Sequence, residues 1–96
     1  MSRGLGFVWE RSLQAGLTIL EKSHEDVVAS RKGVDWKVAL ARYLRERHLV
    51  PHDWIADHLN MGKPSSVQSW VSRHRKNNLG KTDANWVQLK NHKTLD

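Results

Sequence analysis

The side chains best suited to chemistry lie between residues 64 and 76, where short hydrogen-bonding groups are followed by cations. Apolar residues recur there at the spacing of one helical face, namely Val67, Trp70, Val71 and His74. The opposite face is left to polar side chains, of which the short ones suit base edges in a major groove and the long basic ones suit phosphates. Residues 58–82 hold five lysines or arginines and no acid. The pattern predicts a helix that lies against duplex DNA.

The candidate contacts divide into two kinds. Gln68 carries a side-chain amide that is able to pair bidentately with adenine, so the first turns of the helix are expected to specify sequence. The cations that follow, together with a basic pair in the loop before the central helix, are expected to bind phosphate and fix position. The complete set of predicted DNA-binding residues is Arg31, Lys32, Lys63, Ser65, Ser66, Gln68, Ser69, Ser72, Arg73, Arg75 and Lys76.

A helix-turn-helix over residues 51–76 is needed to present that face. Pro51 suits the first position of a helix, whose apolar side is formed by Trp54, Ile55, His58 and Leu59. Asn60 and Gly62 tolerate left-handed backbone and therefore predict a turn. Pro64 and Ser65 favour the start of the next helix.

Three more helices are predicted before this unit. The first runs from Trp9 onward, with Leu13, Gly16, Leu17 and Leu20 on its apolar face. A short second helix begins near two acids at positions 25 and 26. The central helix is predicted after Asp35 as N-cap, and it presents a wide apolar arc formed by Trp36, Val38, Ala39, Leu40, Tyr43 and Leu44.

The predicted organisation is a single all-α domain. Residues 1–8 are expected to be a flexible lead-in, residues 9–76 the helical domain, and residues 77–96 a tail. Residues 77–80 resemble a helix stop because Gly80 can leave helical geometry. In the tail, Trp86, Val87 and Leu89 are expected either to dock as a short segment or to remain disordered with their polar neighbours.

Composition narrows the classes of function. A chain of 96 residues with 39% hydrophobic residues suits one modest core rather than a deep enclosed pocket. Its net charge of +6 is uneven, because residues 1–57 hold nine basic and eight acidic residues whereas residues 58–96 hold seven and two. An anionic partner is therefore expected at the C-terminal half. Without cysteine or a long apolar segment, we expect a cytoplasmic, nucleoid-associated protein that does not enter membranes.

Other residues invite a catalytic or metal-binding interpretation that we do not favour. Tyr43 would need an adjacent metal pair to act as a nucleophile, and its place in the central helix favours packing. His48, His52 and His58 lack the spacing and third ligand of a zinc site. The tryptophans at positions 9, 36, 54 and 70 fall on apolar faces and are predicted to be core. We therefore predict no catalytic residue, metal, cofactor or small-molecule substrate.

Five short motifs carry a resemblance to a known family. They are Lys32-Gly33, the run Lys37-Val38-Ala39-Leu40-Ala41 with Leu44-Arg45, then Trp54-Ile55-Ala56, and Met61-Gly62. In this order they resemble the C-terminal DNA-binding region of REP-associated tyrosine transposases, and more distantly the C-terminal domain of the replication initiator DnaA. The resemblance implies a small five-helix, Trp-repressor-like bundle with a C-terminal helix-turn-helix. It also implies that the Arg31-Lys32 loop reaches a groove beside the recognition helix.

The resemblance carries over DNA binding and not cleavage. The transposases hold their metal-binding histidine pair and nucleophilic tyrosine in a separate upstream domain, which has no counterpart here as a unit. The favoured function is sequence-specific double-stranded DNA binding, as the target-recognition domain of a transposase-like protein. The alternatives are a small DnaA-like or transcriptional regulator, and an adaptor that binds an acidic protein partner through a patch completed by Trp86 and Leu89.

Overall fold

A computed structural model describes residues 3–76 and 84–91. Every regular element in those residues is an α-helix, which confirms the all-α prediction. The helices are α1 (Arg3–Ile19), α2 (His24–Ala29), α3 (Asp35–His48), α4 (His52–His58), α5 (Pro64–Lys76) and α6 (Ala84–Asn91). None of these helices is long and apolar enough to cross a membrane.

The first helix is longer than its apolar pattern predicts. It begins at Arg3, so most of the predicted flexible lead-in over residues 1–8 is helical, while residues 1–2 lie outside the described part of the chain. Each glycine in that stretch lowers helix propensity by about 1 kcal/mol relative to alanine, and for this reason the sequence alone does not predict a helix there. Leu13 and Leu17 are buried against the core as predicted.

The short second helix is fixed by local hydrogen bonds at its start. The Ser23 hydroxyl accepts from the backbone N–H of Asp26, and the Asp26 carboxylate accepts from the backbone N–H of Ser23 at 2.8 Å. These reciprocal bonds form a capping box. The bonds from Ser23 hold the pKa of Asp26 below its ordinary value because they favour the charged carboxylate.

The central helix α3 packs against α1, α4, α5 and α6. Leu40 and Leu44 are fully buried among these neighbours, and Ile55, Leu59 and Val67 are fully buried from the other side. The predicted N-cap is displaced by one residue. Val34 occupies the cap position with extended backbone and no side-chain cap, and the carboxylate of Asp35 instead lies in the first turn, where it complements the helix dipole.

The tail segment is docked by its own helix. Trp86 and Leu89 of α6 are buried against the bundle, so residues 84–91 are docked, and the described residues hold one helix more than the five predicted. Val87 remains exposed. The predicted stop at residues 77–80 and the end of the tail lie outside the described residues.

The tryptophans are buried to different depths. Trp36 is 5% exposed and belongs to the core, as predicted. Trp9, Trp54 and Trp70 only pack against the edge of the core and are half-buried. The prediction that these three tryptophans belong to the core is therefore correct about the helix face on which they lie, but it overstates their burial.

Candidate nucleic-acid interface

The turn between α4 and α5 has the local geometry that its residues predict. Asn60 and Gly62 have φ values of 53° and 89°, both left-handed. The backbone N–H of Met61 donates to the carbonyl of Ala56 at 2.9 Å, which closes the end of α4. Pro51 differs by one position, because it is the N-cap of α4 and the helix begins at His52. The two helices pack against each other and form the predicted helix-turn-helix.

Helix α5 is held by one face and exposes the other. Val67 is fully buried, Val71 and His74 are each 3% exposed, and Trp70 is half-buried beside them. This matches the predicted apolar stripe. The polar residues of the helix outside the stripe are all exposed except Ser66, which is half-buried; the exposed ones are Ser65, Gln68, Ser69, Ser72, Arg73, Arg75 and Lys76.

The basic loop of residues 31–33 lies against this helix-turn-helix. A Cβ atom built on Gly33 would come within 2.9 Å of the Trp70 ring, so the loop backbone lies directly against that ring. A Cβ atom on Gly62 would lie 3.3 Å from Cδ of Lys32, so the lysine side chain runs beside the turn. Two segments that are separated by about thirty residues in sequence thus meet at one surface. We call residues 31–33 the basic loop.

The cations of this surface are free of acidic neighbours. Arg31, Lys32 and Lys63 are exposed, as is Lys76 at the end of α5. Within residues 3–76 and 84–91, no carboxylate lies at ion-pair distance from any of the four. Among the described residues Arg73 has one long hydrogen bond, in which its Nη2 donates to Oγ of Ser69 at 3.4 Å. Unneutralised cations on an exposed surface attract polyanions.

Arg75 differs from the other predicted contacts. Its Nε donates to Oε2 of Glu46 on α3 at 3.1 Å, and Nε of Arg42 donates to the same oxygen at 2.7 Å. Burial raises the pKa of Glu46, but these bonds and the two positive charges outweigh that effect and the pKa is lowered overall. Glu46 lies 29 residues before Arg75 and outside the acid-free residues 58–82, so the sequence does not predict this ion pair. Arg75 is therefore directed toward α3 instead of being available as an unpaired cation.

The C-terminal end of α5 is anchored through His74. Its Nδ1 lies 3.1 Å from Nη1 of Arg42, and its ring meets the Trp86 ring edge to face at 5.9 Å. The Arg42 guanidinium lies 4.1 Å from the centroid of Trp86, within cation–π distance. Helices α3, α5 and α6 are thus joined by one polar and aromatic cluster, which fixes the direction of the exposed face of α5.

The sequence gives only a weak sign of one residue that bears on this surface. Lys37 is fully buried, and its ammonium donates to the carbonyls of Val27 at 2.6 Å and Ser30 at 3.1 Å, directly before the basic loop. Its acceptors are main-chain atoms, which leave no trace in the pattern of side chains. Helical spacing alone does place Lys37 between two buried neighbours, Trp36 and Val38, and that was the only available signal.

The residues considered for catalysis or metal binding have structural surroundings. Tyr43 is 3% exposed and lies in the core, as predicted. His58 stacks on Trp54 with ring centroids 3.7 Å apart, and its Nδ1 lies 2.9 Å from the carbonyl of Trp54. Burial and the charge of Arg45 lower the pKa of His52, with Asp53 opposing them. Within the described residues, no three side chains of histidine, cysteine, aspartate or glutamate lie close enough to hold a metal ion.

The apolar patch expected for an adaptor is not at the surface. Trp86 is 8% exposed and Leu89 is fully buried, since both complete the core of this chain. They cannot serve a partner without leaving the bundle. This removes the apolar patch from the adaptor alternative, whose attraction of an acidic partner by charge stays a prediction.

Comparisons of the chain with protein-family models, with curated proteins and with solved structures returned no match, and the resemblance to the transposase region stays a prediction.

Proposed function

We propose that this chain binds double-stranded DNA in a sequence-dependent manner, with α5 in the major groove and the basic loop on the adjacent backbone. The observation that supports this most is the meeting of the basic loop with the helix-turn-helix, through Gly33 on Trp70 and Lys32 beside Gly62. The exposed face of α5 offers short polar groups for bases, and its last turn offers Arg73 and Lys76 for phosphates. No cleavage is proposed.

The proposal is tested by fluorescence anisotropy on a labelled duplex over about 50 to 200 mM salt, since each phosphate contact releases counterions and contributes about −0.9 to the slope of log K against log salt. We expect a steep negative slope for the wild-type chain. Its magnitude should be smaller by about one in Arg73→Ala and in Lys76→Ala. Arg11→Ala is the matched control, because Arg11 is exposed on α1, which packs on α3 and α6. A flat salt response, or an equal effect of the control, contradicts the proposal.

An acidic polypeptide separates DNA recognition from attraction by charge alone. Polyglutamate of the same charge as the duplex presents carboxylates without grooves or base edges. We expect the duplex to bind more tightly at every salt concentration, because groove contacts add to the electrostatic term. Equal binding of the two polymers would instead support the adaptor function.

We also propose that this DNA-binding unit is the target-recognition part of a transposase-like protein. The five motifs between Lys32 and Gly62 support it, and so does the place of the basic loop beside α5. The coding sequence around the gene tests it. We expect the same or an adjoining reading frame to encode a domain with a histidine pair and a nucleophilic tyrosine. A neighbouring operon that the chain could regulate, without such a domain, would favour the transcriptional alternative.

A further inference from the structure

Lys37 is an ammonium group in the core of the bundle. The residue has no solvent exposure, and its Nζ lies 2.6 Å from the Val27 carbonyl and 3.1 Å from the Ser30 carbonyl. Burial lowers the pKa of Lys37, because desolvation disfavours the charged form. A buried charge is costly unless it is hydrogen-bonded, and an apolar side chain would fill the same space without that cost. The bonds of the ammonium therefore call for an explanation other than packing.

The two acceptors are the points at which the chain leaves α2. Val27 lies in the last turn of that helix, where carbonyls lack helical partners, and Ser30 is its C-cap with extended backbone at φ −83° and ψ 154°. Ser30 directly precedes Arg31. By binding both carbonyls, Lys37 fixes the position and direction with which the basic loop begins.

The far end of the basic loop is fixed from the opposite side. Gly33 lies on the Trp70 ring of α5, and the Lys32 side chain follows the turn at Gly62. The loop is thus held between α3, through Lys37, and α5, through Trp70. Within the described residues no carboxylate pairs with Lys37, so its polar contacts are directed to this junction.

We infer that Lys37 is a positioning residue for DNA binding: from the core, it holds the basic loop at a fixed spacing from α5, so that loop and helix engage one duplex together. The inference rests on the proposed function and adds to it a buried residue that touches no DNA. It explains why a cation stands where an apolar residue would pack. The loop cations depend on it for their position.

A double-mutant cycle tests this inference. Lys37→Met keeps most of the side-chain volume and removes both hydrogen bonds. In the wild-type background we expect Lys37→Met to weaken duplex binding roughly fivefold or more, which is the lower end of coupling between two sites. When Arg31→Ala and Lys32→Ala are already present, we expect it to have no further effect. An equal loss in both backgrounds, or no loss in either, overturns the inference.

Two variants guard against simple loss of stability. Val38→Ala is the matched control, since Val38 is the neighbouring buried residue on α3 and its truncation should leave the affinity of the folded fraction unchanged. Lys37→Gln is carried through the same cycle should Lys37→Met not fold. If neither lysine variant folds, Lys37 belongs to the core alone and the inference is wrong.

A measurement without DNA separates failure of this inference from failure of the proposed function. Amide hydrogen exchange followed by NMR reports local opening residue by residue. In Lys37→Met we expect faster exchange at the amides of Ser30 and Val34, which donate to the carbonyls of Asp26 and Arg31 at the two ends of the loop, and unchanged exchange in α5. Unchanged loop exchange overturns the positioning role, whereas absence of duplex binding by the wild-type chain overturns the function.

Discussion

Gly62 offers the clearest test of the helix-turn-helix geometry. Its φ of 89° lies in the left-handed region, and a Cβ atom there would lie 3.3 Å from Cδ of Lys32. The left-handed backbone costs an L-residue roughly 1–2 kcal/mol. The contact adds little, because the lysine chain is flexible and needs to move by only a few tenths of an ångström. We therefore expect Gly62→Ala to lower the free energy of unfolding by about 1–2 kcal/mol.

The measurements are urea unfolding, for the free energy, and thermal unfolding, for Tm, both followed by circular dichroism and tryptophan fluorescence. For a domain of this size the expected loss corresponds to a decrease in Tm of roughly 5–15 °C. Gly62→Asn is the informative partner variant, because asparagine is larger than alanine but tolerates left-handed backbone better. We expect it to be less destabilising than Gly62→Ala.

The order of the two variants identifies the cause. If asparagine is at least as destabilising as alanine, crowding against Lys32 and not the backbone conformation sets the cost. If alanine has no effect, the turn does not hold Gly62 in left-handed geometry. Either result would refute the reasoning by which the turn was predicted from Asn60 and Gly62.

Two further predictions concern the sides of α5. Trp70→Ala should lower stability by about 2–3 kcal/mol in thermal unfolding, below the 3–5 kcal/mol typical of a fully buried tryptophan, because the ring is half-buried; no loss would mean that Trp70 does not pack against the core. The pKa of Glu46 is lowered from its ordinary value of 4.5, so its contribution to stability is present above that pH and is lost as pH falls through the lowered pKa. Wild type should therefore exceed Glu46→Gln in Tm at pH 7 and converge with it well below pH 4.5, and a difference that persists in acid would contradict the Arg42 and Arg75 bonds to Glu46.

Features that local chemistry determines were predictable from the sequence. Asn60 and Gly62 adopt the left-handed backbone that their residue types allow, and α2 begins beside its acids because Ser23 and Asp26 cap it. The side that faces the core was also correct for α1, α3 and α5, since periodicity gives that direction, whereas in α2 Val28 and Ala29 were expected to dock on the core and are exposed. Periodicity does not give depth, and this is why Trp9 and Trp54 are half-buried instead of core.

Features that depend on distant partners were not predictable. Arg75 pairs with Glu46 from another helix, and Lys37 binds carbonyls whose positions follow from the path of α2. Docking of the α6 segment was one of two alternatives that the sequence left open, because the contacts of Trp86 with Arg42 and His74 that decide it are not visible in any local pattern. The candidate site was therefore predicted in its exposed residues, whereas the buried groups that orient it emerge only from the fold.

The division of contacts along α5 provides the most direct test of DNA recognition. Gln68 is exposed in the second turn, and Arg73 is exposed near the end of the helix. The measurement is the affinity of each alanine variant for a selected site and for a scrambled duplex of equal length, at several salt concentrations. We predict that Gln68→Ala costs ~1–3 kcal/mol on the selected site and almost nothing on the scrambled duplex, whereas Arg73→Ala weakens both together. Equal weakening of both duplexes by Gln68→Ala, or an effect of Arg73→Ala on the selected site alone, would contradict the placement of α5 in the major groove.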